Sequence, residues 1–233
     1  MADPFLLRAL NSAFRRAAGG NARPPMFDID ATYPALRVLD RHKDEIRDEM
    51  LPLLAERHRL PKYHDVDRNQ AAISAEAANG QAWRVFVLKW LAGGAEANRA
   101  RCPRTAKLLD QVPGVISAFF SVLEPGKSVP AHDGPYLGYL RYHLALKVPA
   151  QNPPSIRIKD RVHTWVEGHS ILFDDSWNHE VHNVSDDTRV VLIVDVFRPM
   201  SWHLHLLNWV ALRLLGPLSD EARMAAANIR KYR

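Results

Sequence analysis

Hydrophobic and polar residues alternate through the second half of the chain, which is the pattern of half-buried β-strands. Because neighbouring side chains of a strand point to opposite faces, each segment has one apolar face. Turn-forming residues separate the segments, so an antiparallel sandwich or barrel is predicted over 111–200. The predicted strands lie at 116–123, 136–149, 169–175, 179–184 and 189–197, with a hairpin at 155–168 and a turn-rich connection at 124–135.

Helical spacing dominates the first half of the chain. Apolar residues recur there at intervals of three and four, and Pro113-Gly114 is a typical helix stop. We therefore expect 25–110 to be a mainly helical region that supports the β-strands. Predicted helices lie at 32–60, 70–79 and 102–114, and one predicted strand lies at 82–90.

The two ends of the chain are predicted to be helices with apolar faces. In the arm 1–24, Asp3 followed by Pro4 is typical of a helix start, and the helix should end at Gly19-Gly20. Its apolar residues oppose Arg8, Arg15 and Arg16, so it either packs on the body of the protein or lies on a membrane. The tail 201–233 begins with an apolar helix that stops near Gly216-Pro217. The tail could dock on the sandwich, cover a site, or touch a membrane or partner. Segments 1–16 and 201–215 are the candidates for peripheral membrane contact.

Composition places the chain among folded proteins. It has 233 residues, 47% of them hydrophobic and 24% charged, which suits one domain, 1–233, with a sizeable core. The single cysteine, Cys102, excludes an internal disulfide framework. No apolar run reaches the roughly 18–20 residues that span a bilayer, and the first residues lack the pattern of a secretory signal. We therefore expect a cytoplasmic protein, with a peripheral position at the inner face of a membrane as the alternative.

The net charge of +5 is modest and scattered. No zinc-finger spacing, aromatic RNA-binding signature or recognition-helix pattern accompanies it. Solvated surface charge explains it better than a nucleic-acid interface, so we predict no nucleic-acid partner.

Two predicted strands carry basic residues at positions that need an explanation. Arg141 and His143 share one face of 139–148, where a solvent-facing sheet is the simplest interpretation. Arg189 begins a strand that is otherwise almost wholly apolar. A buried arginine needs an anionic partner, which would be an aspartate of the chain (Asp174, Asp175 or Asp195) or the carboxylate of a ligand.

Two histidines are candidate metal ligands. His132 lies in a predicted turn before one strand, and His179 lies just before another. Imidazole suits iron, copper, zinc and nickel, although two histidines among eleven are weak support on their own. His182 stands three positions after His179, so in a strand the two side chains would point to opposite faces.

Several separated segments resemble, in order, the aspartyl/asparaginyl β-hydroxylase family. They are FSVLEPG, HDGPYLGYLRYHLALKVP, HTWVEG, ILFDDSWNHEVHN and RVVLIVDVFRP, within 116–199. The resemblance implies a dioxygenase that depends on Fe(II), 2-oxoglutarate and O2. It also implies a double-stranded β-helix, a jelly-roll or cupin-like core, with an N-terminal helical layer and a C-terminal helical tail.

The resemblance also implies roles for individual residues. His132 and His179 match the two iron ligands, and Arg189 matches the arginine that grips the cosubstrate. Ser121, Arg141 and His143 match residues that contact 2-oxoglutarate, and Trp83 corresponds to a tryptophan that lines the same pocket.

One position departs from the usual pattern of iron oxygenases with this fold, which add a carboxylate two residues after the first histidine. Gly134 stands there, as in family members with an HxGP motif that use two histidines alone. Asp133 is one residue too early, so we do not expect it to bind the metal. Asp174 and Asp175 are expected to orient His179 or cap a turn.

The substrate class stays open at this point. The resemblance favours hydroxylation of the β-carbon of an Asp or Asn side chain, in a peptide or small molecule. The alternative is a membrane-associated hydroxylase of a lipid acyl chain, which the apolar tail and basic arm would suit. A non-catalytic cupin-like binding module is a third possibility.

Overall fold

Ten β-strands form two facing antiparallel sheets in the computed structural model, which describes residues 4–78 and 80–232. All paired strands are antiparallel, and the alternating pattern of the sequence accounts for most of them. The strands are β1 (Met26–Phe27), β2 (Trp83–Lys89), β3 (Val115–Leu123), β4 (Val129–His132), β5 (Tyr139–Lys147), β6 (Ser155–Ile158), β7 (Arg161–Thr164), β8 (Ser170–Phe173), β9 (His179–His182) and β10 (Arg189–Phe197).

The strand order is that of a jelly roll. The larger sheet has the order β1-β8-β5-β10-β3-β2, and the smaller sheet has the order β4-β9-β6-β7. From β3 onward, the chain passes back and forth between the two sheets, so that both wind around one interior. The predicted double-stranded β-helix core is therefore confirmed, with β1 and β2 added at the two edges of the larger sheet.

Ten helices surround this β-roll. Within 25–110 they are short and interrupted, because prolines and 3-10 turns break the helical spacing. They are α1 (Pro4–Ala17), α2 (Ile29–Thr32), α3 (Arg37–Arg41), α4 (Lys43–Ala55), α5 (Tyr63–Val66), α6 (Ala71–Ser74), α7 (Glu96–Arg101), α8 (Pro103–Gln111), α9 (Trp202–Val210) and α10 (Asp220–Lys231). None of the helices within the described residues is both long and apolar enough to cross a lipid bilayer.

The larger sheet is buried on both faces. Its outer face packs against the helical layer, where Leu39, Ile46 and Met50 meet Leu140 and Leu144 of β5. Its inner face turns toward the smaller sheet and, besides apolar residues, carries Arg141, His143 and Arg189. The polar face of β5 is thus interior, and the solvent-facing interpretation is wrong.

The N-terminal helix and the C-terminal tail pack together at one end of the roll. Phe14 is fully buried in a cluster with residues of the β4–β5 connection and β10, and Leu204 and Leu212 of the tail pack against it. This supports the packed-arm alternative for 1–24. Asp3 and the side chain of Phe5, both used in the sequence prediction of this helix, lie outside the described part of the chain.

A polar anchor holds the tail. Asn208 is buried; its amide nitrogen donates to the Gly138 carbonyl at 2.6 Å, and its oxygen accepts a hydrogen bond from the Tyr136 hydroxyl at 2.7 Å. A β-carbon at Gly138 would lie 2.4 Å from the Asn208 side-chain oxygen. Glycine is therefore required there for close approach rather than for its backbone freedom.

Three details of the sequence prediction are wrong. The connection 124–135 contains a strand, β4, which ends at His132. Within the described residues of 70–79, the α-helix is confined to Ala71–Ser74, and Asn79 lies outside the described residues. The supporting region also contributes β1, a two-residue strand too short to show alternation.

We predict that Phe14→Ala lowers the free energy of unfolding by about 3–5 kcal/mol, because it removes a fully buried ring and leaves a cavity. The matched variant Leu6→Ala removes an exposed side chain from the same helix and should change stability by less than about 0.5 kcal/mol. Urea unfolding followed by circular dichroism measures both. Equal effects would show that α1 does not pack on the roll in solution.

Candidate active site

His132 and His179 face each other across two paired strands. β4 and β9 run antiparallel, and His132 is directly opposite His179 in their register. The two ring centroids are 4.2 Å apart. His182, at the other end of β9, is exposed, whereas His179 is buried. The pairing of the strands therefore brings together the two predicted metal ligands and leaves His182 outside.

Backbone carbonyls fix the tautomer of both rings. His132 Nδ1 lies 2.8 Å from the Pro130 carbonyl oxygen, and His179 Nδ1 lies 2.8 Å from the Trp177 carbonyl oxygen. A carbonyl oxygen only accepts hydrogen bonds, so each Nδ1 carries the proton. In the neutral ring, Nε2 then keeps its lone pair, which is the arrangement commonly found for metal-binding histidines.

Burial keeps both imidazoles neutral. It lowers the pKa of His179 to about 3, with a further contribution from His132, and it lowers the pKa of His132 as well. Neutral rings are the form that binds a metal ion. The residues present thus fit a metal held by two histidines.

A carboxylate ligand is absent from this pair in the part of the chain that the structure describes. No cluster of three or more His, Cys, Asp or Glu side chains suited to a metal occurs there. Asp133 instead accepts a hydrogen bond from the Asn178 side chain at 3.0 Å. A side chain at Gly134 would not fit, because its β-carbon would lie 2.6 Å from the Asp175 carbonyl oxygen.

Arg189 is a buried guanidinium without an acidic partner among the described residues. Its side chain is almost inaccessible, and Nε has no hydrogen-bond partner there. Its contacts are a long hydrogen bond from Nη1 to Ser121 Oγ, at 3.4 Å, and the face of Trp165, whose ring centroid is 4.5 Å from Cζ. Burial lowers the pKa of Arg189 to about 9. A buried cation in this state is suited to bind an anion.

The aspartates that could have neutralised Arg189 are bound to other arginines. Asp174 pairs with Arg23 at 2.9 Å and Arg198 at 2.7 Å. It also accepts a hydrogen bond from the Ser176 amide, so it caps the turn before β9. Asp175 and Asp195 both pair with a fourth arginine, Arg141. The expectation that an aspartate orients His179 has no contact to support it in the described chain.

Arg141 is held by two carboxylates. Its Nε and Nη2 donate to the two oxygens of Asp195, at 2.8 and 3.0 Å, and Nη1 lies 3.0 Å from Asp175 Oδ2. Burial alone would lower the pKa of Arg141, but Asp195 and Asp175 outweigh it and hold that pKa well above its ordinary value. Arg141 therefore differs from Arg189: its charge is already matched, and its contact with 2-oxoglutarate stays a prediction.

The remaining predicted residues form a continuous path from Arg189 to the histidines. Ser121 accepts hydrogen bonds from both Arg189 and the Trp83 indole, the latter at 2.9 Å. On the other side of Arg189, Trp165 is followed by His143, with ring centroids 5.9 Å apart. Phe173 then bridges His143 and His179, with centroid distances of 4.9 and 6.3 Å.

His143 is a second buried group with unused hydrogen-bonding capacity. Neither ring nitrogen has a partner within residues 4–78 and 80–232, although the side chain is only 4% exposed. Burial, with Arg141 and Arg189 nearby, lowers its pKa well below the ordinary value. A neutral imidazole and an unpaired guanidinium thus lie in one interior compartment, on neighbouring strands.

A cavity of about 680 Å³ lies beside this interior and shares His132 and Arg141 with the candidate site. Trp83, His132 and Arg141 line its inner end, whereas Ser121, His143, His179 and Arg189 are not among its lining residues. Its outer walls are mainly apolar and come from α1, from the segment around α6, and from the tail. The wall residues include Leu6, Leu7, Leu10, Ile73, Trp90, Leu91, Ala211, Leu212 and Leu215.

Trp165 and Tyr139 were not singled out by the sequence. Trp165 follows β7, outside any alternating segment, and Tyr139 was placed on the face of Arg141 without a role. In the structure the Tyr139 hydroxyl donates to Asp175 at 3.0 Å, so it supports the carboxylate that holds Arg141. Trp165 lies in HTWVEG, one of the segments that resemble the family, and this was the one feature of the sequence that could have indicated a role for it.

Comparison with known proteins identifies the family of the chain. The profile of the family described as aspartyl/asparaginyl beta-hydroxylase matches residues 40–199. The ornithine lipid ester-linked acyl 2-hydroxylase of Rhizobium tropici is 37% identical over 82% of this chain and 66% of its own length. The human aspartyl/asparaginyl beta-hydroxylase is 35% identical over 50% of this chain, which corresponds to 16% of that protein.

The chain spans less than two thirds of the length of these relatives. Human aspartate beta-hydroxylase domain-containing protein 2 is 34% identical over 75% of this chain and 47% of its own length. Among solved structures, a cupin domain from Bordetella pertussis aligns with 36% of this chain and 94% of its own, at 16% identity and a TM-score of 0.29. The strand order, rather than this alignment, establishes the fold. Over the strands that carry both histidines and Arg189, the chain belongs to the aspartyl/asparaginyl β-hydroxylase family.

Proposed function

We propose that the protein is an Fe(II)- and 2-oxoglutarate-dependent dioxygenase that hydroxylates an unactivated C–H bond. The observation that carries the proposal is Arg189, a buried cation without an acid, on the same interior path as two histidines with fixed tautomers. Relatives named as hydroxylases support an enzyme that hydroxylates its substrate. Bound iron, with 2-oxoglutarate and O2, would supply the oxidising chemistry, in which 2-oxoglutarate leaves as succinate and CO2.

His132 and His179 would hold the iron through Nε2. Their Nδ1 protons are already committed to the Pro130 and Trp177 carbonyl oxygens, so the rings need no reorientation to present their lone pairs. The glycine at 134 leaves the metal without a protein carboxylate. Two protein ligands leave more positions for the cosubstrate and O2 than three would.

Arg189 would bind a carboxylate of 2-oxoglutarate. Its unpartnered Nε and weakly bonded Nη1 can form the two parallel hydrogen bonds that a carboxylate accepts. Ser121 and His143 lie on either side and offer further hydrogen bonds. Trp165, packed on the guanidinium face, fixes its plane. These residues bind and orient the cosubstrate, and burial excludes water from around it.

An acyl chain is the substrate class that the cavity favours. Its walls are mainly apolar, with Asp67, Gln70 and Glu221 among a minority of polar lining residues, and a hydrocarbon chain buries well against the apolar part. The relative from Rhizobium tropici is named for hydroxylating an acyl group of a lipid. We therefore propose the lipid alternative in place of the Asp/Asn side chain that the sequence favoured.

We predict that His179→Ala abolishes iron-dependent conversion of 2-oxoglutarate to succinate, because it removes one of two metal-binding nitrogens. The matched variant His182→Ala removes an exposed histidine from the same strand and should retain activity within about twofold, as surface substitutions usually do. Succinate formation with added Fe(II), 2-oxoglutarate and lipid is the measurement. Full activity of His179→Ala would contradict the metal assignment. Tight 2-oxoglutarate binding without any turnover, in the unaltered protein, would favour a binding module instead.

A second prediction compares the two interior arginines. Arg189→Met should leave the free energy of unfolding unchanged or raise it by about 1–4 kcal/mol, because it removes a buried charge that has no partner. Arg141→Met should lower it by about 3–5 kcal/mol, because Asp175 and Asp195 lose their cation. Urea unfolding without ligand provides both values. A large loss of stability in Arg189→Met would contradict the absence of an acidic partner.

The same variant tests the cosubstrate role. At 100 times its dissociation constant, a ligand that binds only the folded state stabilises it by about 2.7 kcal/mol. We expect 2-oxoglutarate with Fe(II) to stabilise the unaltered protein in this way and to have almost no effect on Arg189→Met. Equal stabilisation of both would exclude Arg189 from the binding site.

A bulky residue in the cavity wall tests the substrate class. Ala211→Trp should reduce hydroxylation of a long-chain lipid at least about tenfold, by filling space that the chain needs, which is the kind of steric discrimination a shaped pocket provides. Succinate formation without lipid should stay the same. Product is measured by mass spectrometry with a long-chain acyl lipid and with an Asp-containing peptide. Hydroxylation of the peptide alone would contradict the acyl proposal.

A further inference from the structure

The first helix of the tail, α9, is turned with its apolar side outward. Its inward side is held by the polar residue Asn208, whereas Trp202, Leu206 and Trp209 lie at intervals of four and three and share one outer face. Trp202 is 78% exposed. Further exposed leucines follow along the next two turns of the chain. We call this set the tail surface: Trp202, Leu206, Leu207, Trp209, Leu214 and Leu218, all exposed.

A run of large exposed apolar side chains within one short segment is unusual for a water-facing helix and marks an interaction site. Elsewhere in the described chain, the exposed large apolar residues are more scattered, as at Leu51, Val162 and Val184. Tryptophan and leucine on one face of a helix that lies flat are typical of contact with the boundary between lipid headgroups and acyl chains.

The charge around the tail surface matches an anionic lipid layer. Residues 201–219 contain no acidic residue, and their one cationic side chain, Arg213, donates to the Val115 carbonyl at 2.9 Å. The neighbouring segment 4–27 also contains no acid, and its helix exposes Arg8, Arg15 and Arg16. The two segments pack on one another through Leu7, Leu10 and Leu212. Basic residues beside an apolar face attract anionic lipids.

The cavity adjoins this surface. Leu6 of α1 and Leu215 of the tail line the cavity and are themselves exposed. Ala211 and Leu212, which lie between Trp209 and Leu214, form part of the same wall. An acyl chain leaving a lipid layer in contact with the tail surface would therefore meet the cavity without crossing water.

We infer that the tail surface, with the basic face of α1, docks on an anionic phospholipid layer so that the cavity opens toward the membrane. Docking itself depends only on the exposed residues and charges. The delivery of an acyl chain to the cavity rests on the proposed function.

Vesicle sedimentation of the full chain tests the docking. We expect binding to vesicles of phosphatidylcholine mixed with an equal amount of phosphatidylglycerol, and weaker binding to phosphatidylcholine alone. The triple variant Trp202→Ser, Leu206→Ser, Trp209→Ser should bind the mixed vesicles at least about tenfold more weakly, because it removes the apolar contact. The control Val162→Ser, Val166→Ser, Val184→Ser replaces three exposed valines outside the tail surface and should bind like the unaltered chain.

A charge reversal on α1 tests the electrostatic contribution to vesicle binding separately from the apolar contribution. Arg8→Glu should weaken binding to the mixed vesicles at least about fivefold and leave binding to phosphatidylcholine alone unchanged. Arg161→Glu, on an exposed position of β7, is the control and should have little effect. If both substitutions weaken binding equally, the effect is one of net charge, and the assigned orientation is wrong.

Other occupants of the tail surface give different results. If the unaltered chain does not sediment with either vesicle, or if the triple variant binds as well as the unaltered chain, the inference is overturned. It is also overturned if the unaltered chain is a dimer by analytical ultracentrifugation and the triple variant is a monomer. His179→Ala should bind vesicles normally, so a failure of the proposed reaction is distinguishable from a failure of docking.

Discussion

Arg189 sets the main electrostatic constraint on the interior of the β-roll. A guanidinium there, without a carboxylate among the described residues, is unfavourable for folding, since burial removes its hydration and returns only a long hydrogen bond and an aromatic face. The aspartates of this region form ion pairs with Arg23, Arg198 and Arg141 instead. The folded protein is therefore less stable than it would be if Arg189 were paired with an acid. In return, Arg189 can still attract an anion, whereas the paired arginines cannot.

The two histidines depend on a different constraint, the register of a short ladder. β4 and β9 have four residues each, and a shift of one position would separate His132 from His179 and turn one ring to the other side of the sheet. The position of β4 is fixed from outside by α6, which packs against it. Helices of the supporting region thus control the geometry of a pair that lies on the strands.

Much of the fold was predictable, because 139–147 alternates over nine residues and 189–197 is a nearly continuous apolar run between turn signals, which leave few other solutions. β4 was not, because Pro130 and Ala131 are exposed and interrupt the alternation. In the candidate site, the choice of His132, His179 and Arg189 followed from the family resemblance. The pairing of Arg141 with Asp195 did not, because it depends on the register between β5 and β10, which places them opposite each other. No single-strand pattern contains that information.

The family match covers the strands of the candidate site but only part of the cavity walls. The match ends at residue 199 and begins at residue 40, so it includes the strands that carry the histidines and the interior arginines. The apolar walls contributed by Leu6, Leu7 and Leu10 and by 211–222 lie outside it. Relatives can share the strands of the candidate site while their terminal segments diverge. Such divergence would change which molecules reach the site. Exchange of the two terminal segments between relatives, rather than change within the β-roll, is then a direct route by which members of this family would come to accept different molecules.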